Sequence, residues 1–307
     1  MRIVFFGTPG FAEASLRALL RAGHQVVGVV TQPDRAHGRS RSVLVPPPVR
    51  LLAESERVPV LQPERPTGDL FLAGLKRFDA DLGVVVAYGH ILRQQVLDTP
   101  RLGMINVHAS LLPRLRGAAP VQWAIARGDT KTGVSIMRME AGLDSGPVLH
   151  QVSTAIGEHE TGGELTRRLA ALGAEALIET MGRLPRHALG GQPQDDALAT
   201  YAPKITRETA RIDWAGDAAQ VSRAIRAFDP VPAAWTRLGD TEVKLFGARP
   251  IEGGGEPGTI LSGNGRLTVA AGEGAVEIAE IQPAGKRRLE VAAWLRGRGS
   301  VIGERFT

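Results

Sequence analysis

The chain opens on four apolar residues in a row, Ile3-Val4-Phe5-Phe6, closed by Gly7. A short unbroken run ending at a turn residue predicts a strand buried on both faces. Apolar positions at helical spacing follow from about Phe11 to Ala22, and a second β-rich run covers Val26 to Thr31. The alternation continues. Strands are expected at Val58 to Leu61, Leu82 to Ala87, Met104 to His108, Val134 to Met139 and Val148 to Thr154, with helices near Pro48 to Glu56, Asp69 to Phe78, Pro120 to Arg127 and Thr161 to Met181. Strand and helix in succession predict an α/β domain built on a doubly wound, mostly parallel sheet.

The pattern breaks between Leu184 and Pro203, where proline, glycine and polar residues replace the periodicity. That stretch is expected to be a linker. Beyond it come one amphipathic helix, about Ala218 to Ala227, and short glycine-punctuated strands at Ala234 to Leu238, Val243 to Ala248, Gly258 to Leu261, Leu267 to Ala270 and Ala275 to Ile281. Such a succession predicts a small β-barrel. The expected organisation is a first domain over 1–184, a linker over 185–204 and a barrel over 205–307.

Composition narrows the chemistry. The chain has 307 residues, 43% hydrophobic and 22% charged, ordinary values for a globular protein. It has no cysteine, so disulfides, thiolate metal sites and a cysteine nucleophile are excluded, in keeping with a reducing compartment. No apolar run approaches the length of a membrane helix, and the opening apolar run passes at once into a turn and a helix, unlike a signal peptide. A cytoplasmic location is expected. The net charge of +5 permits a polyanionic partner without requiring one. Basic and acidic residues nearly balance beyond Ile205, so an RNA surface there would have to be a patch. The seven histidines show neither H-x-x-H nor H-E-x-x-H spacing, which gives a metal centre little support.

The most informative segment is Met104-Ile-Asn-Val-His-Ala-Ser-Leu-Leu-Pro113. Strand side chains alternate, so Asn106 and His108 share one face while Ile105 and Val107 share the other. Pro113 and the residues to Gly117 mark the carboxyl end of that strand, where open α/β sheets place their sites. Asn106 offers amide donors, and His108 offers a ring nitrogen that changes charge near neutral pH. The pair suits a carbonyl that becomes a tetrahedral oxyanion while an amine loses a proton. The same residue types also serve as a turn cap and as a hydrogen-bonded core histidine. Asp144, in Glu140-Ala-Gly-Leu-Asp-Ser-Gly-Pro147, is a carboxylate that could orient the imidazole from a loop following the Val134 to Met139 strand. It also suits an Asx-turn, and Glu140 competes for the role.

Two further stretches bear on ligands. The Gly7-Thr-Pro-Gly-Phe11 turn stands where dinucleotide-binding proteins carry G-x-G-x-x-G, but Pro9 removes the amide that would approach a pyrophosphate. A structural turn is expected there, with no nicotinamide cofactor. Arg35 to Arg50 reads RAHGRSRSVLVPPPVR, four arginines and no acid. Guanidinium groups on such a loop suit a phosphate backbone, although a solvated loop with no partner shows the same composition.

Taken together, FFGTPGFA at the start, TQPDR with Gly38-Arg39, VVVAYG, NVHASLLPRLRGAAP, GLDSGPVL, and later RIDW, IRAFDPVPAAW and QPAGKRR resemble the methionyl-tRNA formyltransferase family over essentially the whole chain. Asn-x-His with a downstream Asp is shared by folate-dependent formyltransferases in general, whereas the basic loop and the C-terminal domain point to tRNA. The resemblance implies a formyltransferase-like Rossmann variant followed by an OB-like barrel. It implies Asn106, His108 and Asp144 as the catalytic group, and Ser110, Leu111, Leu112 and Pro113 as folate contacts. Tyr88, Gly89, Ile91, Leu92 and Gly142 would belong to the pterin pocket. It further implies tRNA contacts at Arg35, Arg39 and Arg41 in the loop and at Lys286, Arg287 and Arg288 in the barrel. His90, Arg93, Arg41, Ser42 and Val231 depart from residues usual in the family.

On this resemblance, the α-amine of initiator methionyl-tRNA attacks the formyl carbon of 10-formyltetrahydrofolate directly. Asn106 and protonated His108 would stabilise the oxyanion, and Asp144 would hold the imidazole and assist proton movement. Neither a metal nor a nicotinamide is needed, and the chain is expected to be a monomer. A sugar-nucleotide N-formyltransferase would use the same three residues on a different amine. A noncatalytic tRNA-binding protein would not need them, and a hydrolase would not need the basic surface.

Overall fold

The computed structural model describes residues 1–37, 43–184, 190–263, 265–298 and 301–307. Among them the elements run β1 (Arg2–Gly7), α1 (Gly10–Arg21), β2 (Gln25–Val30), β3 (Arg35–His37), β4 (Val43–Val45), α2 (Pro48–Ser55), β5 (Val60–Leu61), α3 (Asp69–Lys76), β6 (Leu82–Val86), α4 (Gln94–Leu97), β7 (Met104–His108), α5 (Pro120–Ala126), β8 (Lys131–Arg138), β9 (Val148–Ala155) and α6 (Gly162–Arg183). They continue with α7 (Ala218–Phe228), β10 (Trp235–Leu238), β11 (Thr241–Ile251), β12 (Ile260–Ser262), β13 (Leu267–Ala270), β14 (Ala275–Pro283), β15 (Leu289–Glu290) and α8 (Val291–Arg298). The hairpin of β3 and β4 inside the basic loop, and the short α4, β15 and α8, were not expected from periodicity. Each is too brief to show a repeat.

Compact packing divides the chain otherwise than a single cut at the linker would. One unit comprises 1–118, 132–154 and 166–202, and the other comprises 119–131, 155–165 and 203–307. Most of the stretch expected as a linker thus packs within the first unit. Arg116 donates its backbone N–H to the Thr200 carbonyl at 2.8 Å, and Ala202 donates to the Arg116 carbonyl at 2.7 Å.

In the first unit, a seven-stranded sheet has the order β5-β2-β1-β6-β7-β8-β9 among the described residues. β5, β2, β1, β6 and β7 are parallel, as continuous Val, Ile and Phe runs require of strands covered on both faces. β8 runs antiparallel to β7. The order reverses between β1 and β6, so the crevice at their carboxyl ends is the place where this topology puts a ligand. Val4, Phe6, Val85 and Met104 form a buried cluster on one face with Tyr88 and Leu92. At the opposite end of the strands, Asp81 accepts from the Arg2 backbone N–H at 2.9 Å and from Arg101 Nη2 at 2.5 Å. The Arg2 hydrogen bond first, and Arg101 after it, lower the carboxyl's pKa. A depressed carboxylate stabilises the fold above its unfolded pKa and loses that contribution as pH falls through the folded value. Asp81→Asn is therefore expected to lower the thermal midpoint at pH 7, with the gap from wild type closing near pH 3. Thermal unfolding at the two pH values checks this.

In the second unit, antiparallel strands run in the order β10-β11-β14-β13-β12, with β15 on β14. α7 begins with a capping box, in which Asp217 accepts from the Gln220 backbone and Gln220 returns a bond to the Asp217 backbone. The last residues cover both outer strands. Arg305 bridges Thr259 just before β12, Phe306 bridges Leu238 of β10, and Thr307 exchanges two backbone bonds of 3.0 Å with Arg237. Covering edges in this way closes a small antiparallel sheet towards a barrel. Phe306 stacks on Trp214 at 5.6 Å, which anchors the closing segment.

Candidate active site

β7 alternates as its sequence requires. Gly173 of α6 lies so near Val107 that an added Cβ would stand 2.9 Å from its Cγ1, so Val107 faces that helix. Asn106 pairs in register with Val85 and points with Met104 and His108 to the other face. There the apolar cluster of Val85 and Met104 gives way to two polar groups. Asn106 is half-buried, and its amide makes no hydrogen bond to another described residue. Two amide donors stand ready for a ligand.

His108 is 5% exposed. Its Nε2 lies 3.0 Å from the Leu115 carbonyl oxygen. A carbonyl can only accept, so Nε2 carries a proton and is the donor in this contact. Nδ1 lies 3.7 Å from Asp144 Oδ2, close enough for an ion pair with the imidazolium and too long for a hydrogen bond. The same Oδ2 accepts the Gly117 backbone N–H at 2.8 Å, which fixes the carboxylate. Glu140, the competing acid, is exposed and pairs with Arg138 at 2.5 Å.

Asp144 reaches His108 by a route the strand pattern did not indicate. Because β8 is antiparallel to β7, Arg138 at its end lies opposite Ile105, and the Met139 N–H bonds the Met104 carbonyl at 2.8 Å. Four residues of strand span about 13 Å, so the loop must double back along β7 to place Asp144 beside His108. Two non-glycine residues at the site have left-handed backbone, Leu115 at φ 58° and Asp144 at φ 48°. Such conformations cost about 1–3 kcal/mol each and persist only where surrounding contacts hold them.

Gly117 is constrained twice. Its φ is 120°, and a Cβ there would meet the Ala202 carbonyl oxygen at 2.7 Å. Gly117→Ala is expected to displace the N–H that holds Asp144 and to lower turnover about tenfold or more, as misplacement of a site group does. Steady-state rates, with circular dichroism to show the fold retained, check it.

The segments expected to hold folate are divided between core and surface. The Tyr88 ring is buried at 2%, edge-on to Phe6 at 5.4 Å, and burial pushes its hydroxyl up to about 12. Its side chain and that of Leu92 belong to the core cluster, so only the Tyr88 backbone lines the loop after β6. The sequence could not tell which side chains of that loop turn inward. Ile91 is 84% exposed, and Gly142 is exposed beside Leu143 at 56%. Gly89 has φ 85° and packs against Gln32. Ser110 and Leu112 are buried, and Leu111 and Pro113 are half-buried.

Several polar residues that set these loops were not singled out from the sequence. Ser135 Oγ donates to the Ser110 carbonyl at 2.6 Å and accepts the Leu112 N–H at 3.0 Å, and Gln151 Nε2 donates to the Leu112 carbonyl at 2.8 Å. Gln32 Nε2 donates to the Tyr88 carbonyl at 2.8 Å, with Thr8 Oγ1 donating there at 3.2 Å. A lone serine inside the apolar Val134-Ser-Ile-Met137 run was the available signal for Ser135. For Gln32 and Thr8 the signal was polarity immediately after a buried strand.

Of the basic residues, Arg35 is exposed on β3 and hydrogen-bonds Gln32, whereas Arg39 and Arg41 lie outside the described residues. Arg50 pairs with Asp34 at 2.5 Å and Glu54 at 2.7 Å. In the second unit Lys286 and Arg287 are exposed. Arg288 is committed to the protein: it pairs with Asp229 at 2.8 Å and with Glu280, and lies 3.9 Å over the Phe246 ring. Among the described residues no group of three or more His, Asp and Glu is placed to hold a metal ion. No helix among them is long and apolar enough to cross a membrane.

The family model described as formyl transferase matches residues 1–181, and that of the formyl transferase C-terminal domain matches residues 204–299. The chain is 51% identical to the methionyl-tRNA formyltransferase of Stutzerimonas stutzeri, over 93% of this chain and 91% of that protein. It is 50% identical to that of Paracoccus denitrificans, over 97% of each. The chain belongs to the methionyl-tRNA formyltransferase family. Among solved structures it is similar to the sugar 3N-formyl transferase WlaRD, with a TM-score of 0.69, 15% identity, and coverage of 94% of this chain and 99% of that one. It is also similar to HypX from Aquifex aeolicus in complex with tetrahydrofolic acid, with a TM-score of 0.67, 22% identity and coverage of 96% of this chain and 47% of that one. These two likenesses show a common fold. In this family member, the sheet end carrying Asn106 and His108 lies within the matched formyl transferase region.

Proposed function

We propose that this chain transfers the formyl group of 10-formyltetrahydrofolate to the α-amino group of initiator methionyl-tRNA, giving N-formylmethionyl-tRNA for translation initiation. The observation that carries the chemistry is the Asn106 amide, without a partner among the described residues, on the same strand face as a buried histidine whose Nδ1 lies 3.7 Å from a carboxylate. Family membership at about half identity to proteins named for this reaction carries the choice of acceptor.

The residues present fit such a donor. Unsatisfied amide hydrogens suit a formyl oxygen, and exposed apolar Ile91 and Leu143 suit the flat ring of a folate. The loop after β6, with Tyr88, Gly89, Ile91 and Leu92, the Ser110 to Pro113 segment and Gly142 would hold it. When bound, it supplies an electrophilic carbonyl carbon. Asn106 donates to the oxygen on which negative charge develops. His108 Nδ1 takes a proton from the attacking amine, in the imidazolium form its N–H becomes a second donor, and that proton is then given up to the folate nitrogen as its bond to the formyl carbon breaks, so that tetrahydrofolate leaves neutral. Asp144 stabilises that imidazolium, while the Leu115 carbonyl and the Gly117 N–H keep ring and carboxylate in register. These groups supply the charge stabilisation and proton transfer without calling on a metal or a nicotinamide.

Arg35, Arg39 and Arg41 contact tRNA phosphates in this reading, as do Lys286 and Arg287. Arg288 orders the turn that carries them through Asp229 and Glu280. The protein acts as a cytoplasmic monomer. The runner-up, a sugar-nucleotide N-formyltransferase, would use the same three residues. To separate the two, formyl-labelled 10-formyltetrahydrofolate is mixed with the protein, charged initiator tRNA and an amino-sugar nucleotide. Label on the aminoacyl-tRNA is the expected result, and label confined to the sugar nucleotide would replace this reading with the runner-up.

A further inference from the structure

The segment 190–202 does more than join two domains. Gln194 bridges it to the site with both ends of its amide. Its Oε1 accepts from Arg116 Nε at 3.1 Å and Nη2 at 2.8 Å. Its Nε2 donates to the carbonyls of Asp144 at 2.8 Å and Gly146 at 2.7 Å. Arg116 can only donate and the carbonyls can only accept, so the amide has one satisfactory orientation.

What Gln194 ties together is the pair of loops that enclose the imidazole. Arg116 is 4% exposed and sits between Leu115, whose carbonyl holds His108 Nε2, and Gly117, whose N–H holds Asp144 Oδ2. Asp144 lies on the second loop. One side chain therefore cross-links Arg116, the chain neighbour of the residue that fixes one ring nitrogen, to Asp144, the residue that faces the other. Leu115 and Asp144 are also non-glycine residues held in left-handed backbone, which need outside contacts to persist.

We propose that Gln194 is a positioning residue for formyl transfer: it sets the separation of His108 Nδ1 and Asp144 Oδ2 by clamping the Asp144 loop to Arg116. This rests on the site reading given above. Gln194 need touch no substrate, and its effect passes through Asp144 and Arg116.

Two variants separate positioning from bulk stability. Gln194→Glu keeps the length of the side chain and the acceptor for Arg116, and replaces the two donors with an anionic oxygen facing two carbonyls. Gln194→Ala removes both halves of the clamp and leaves Arg116 with Asp196, now 2.8 Å away. Each is expected to lower kcat about 10- to 100-fold, as misplacement by about an ångström does. KM for tRNA and folate should change less than about threefold, because uniform binding is untouched. Rates are measured below the thermal midpoint of each variant, with His108→Ala in parallel. If both Gln194 variants keep kcat within about twofold of wild type, or lose rate only through KM, while His108→Ala is inactive, the clamp is refuted and the site reading stands. If His108→Ala is itself active, the site reading fails first.

Discussion

His108→Ala is expected to lower formyl transfer about 10²- to 10⁴-fold, the range lost with a positioned acid or base. Its Nε2 is engaged by Leu115, so Nδ1 beside Asp144 is the nitrogen left to exchange protons. The alanine variant removes that nitrogen and leaves the Leu115 carbonyl without its partner. His108→Gln guards against misreading a folding defect, because an amide donor can still reach that carbonyl and cannot titrate at neutral pH. Both variants should be comparably slow, with bound folate and tRNA retained. Single-turnover rates at saturating substrates, with thermal midpoints recorded alongside, make the comparison.

Asn106→Ala is expected to cost about 10²- to 10³-fold in kcat, the loss typical of one oxyanion donor. The amide has no partner among the described residues, so its removal strands no buried group and should leave the thermal midpoint near wild type. Asn106→Asp sharpens the test by keeping shape while replacing the donors with a charged acceptor. It should be at least as slow. A structural role for Asn106 would show the reverse, a lowered midpoint with turnover per folded molecule preserved.

The parts of this site that were legible in the sequence are those that local geometry determines. A two-residue period put Asn106 and His108 on one face, because successive side chains of a strand must alternate, and the turn after His108 marked the sheet end. Asp144 was legible as a candidate. Its path was not, since an apolar run such as Val134 to Met137 does not record whether its strand lies parallel or antiparallel to its neighbour. Backbone contributors were illegible for a different reason. The carbonyl of Leu115 and the N–H of Gly117 are groups that every such residue carries, and only tertiary placement selects them. Gln194 was hidden because it lies in a stretch without periodicity, which composition assigns to a linker, although its order comes from hydrogen bonds to Arg116 and Asp144.

The second unit shows the same division. Its short strands were read from glycine punctuation and alternation, and a barrel followed. Closure by Arg305 to Thr307 was not readable, because two bridging residues at a chain end have no pattern of their own. Arg288 illustrates the limit of charge as a guide. It stands in a basic triplet, yet Asp229, Glu280 and the Phe246 ring occupy its guanidinium, while Lys286 and Arg287 remain exposed.

The most direct measurement is a crystal structure of the chain with a stable, non-transferable formyl-folate analogue. The account predicts the formyl oxygen within hydrogen-bonding distance of the Asn106 amide, with His108 Nδ1 and Asp144 facing the same carbon. A formyl group bound elsewhere, with Asn106 and His108 contacting only protein or water, would contradict it.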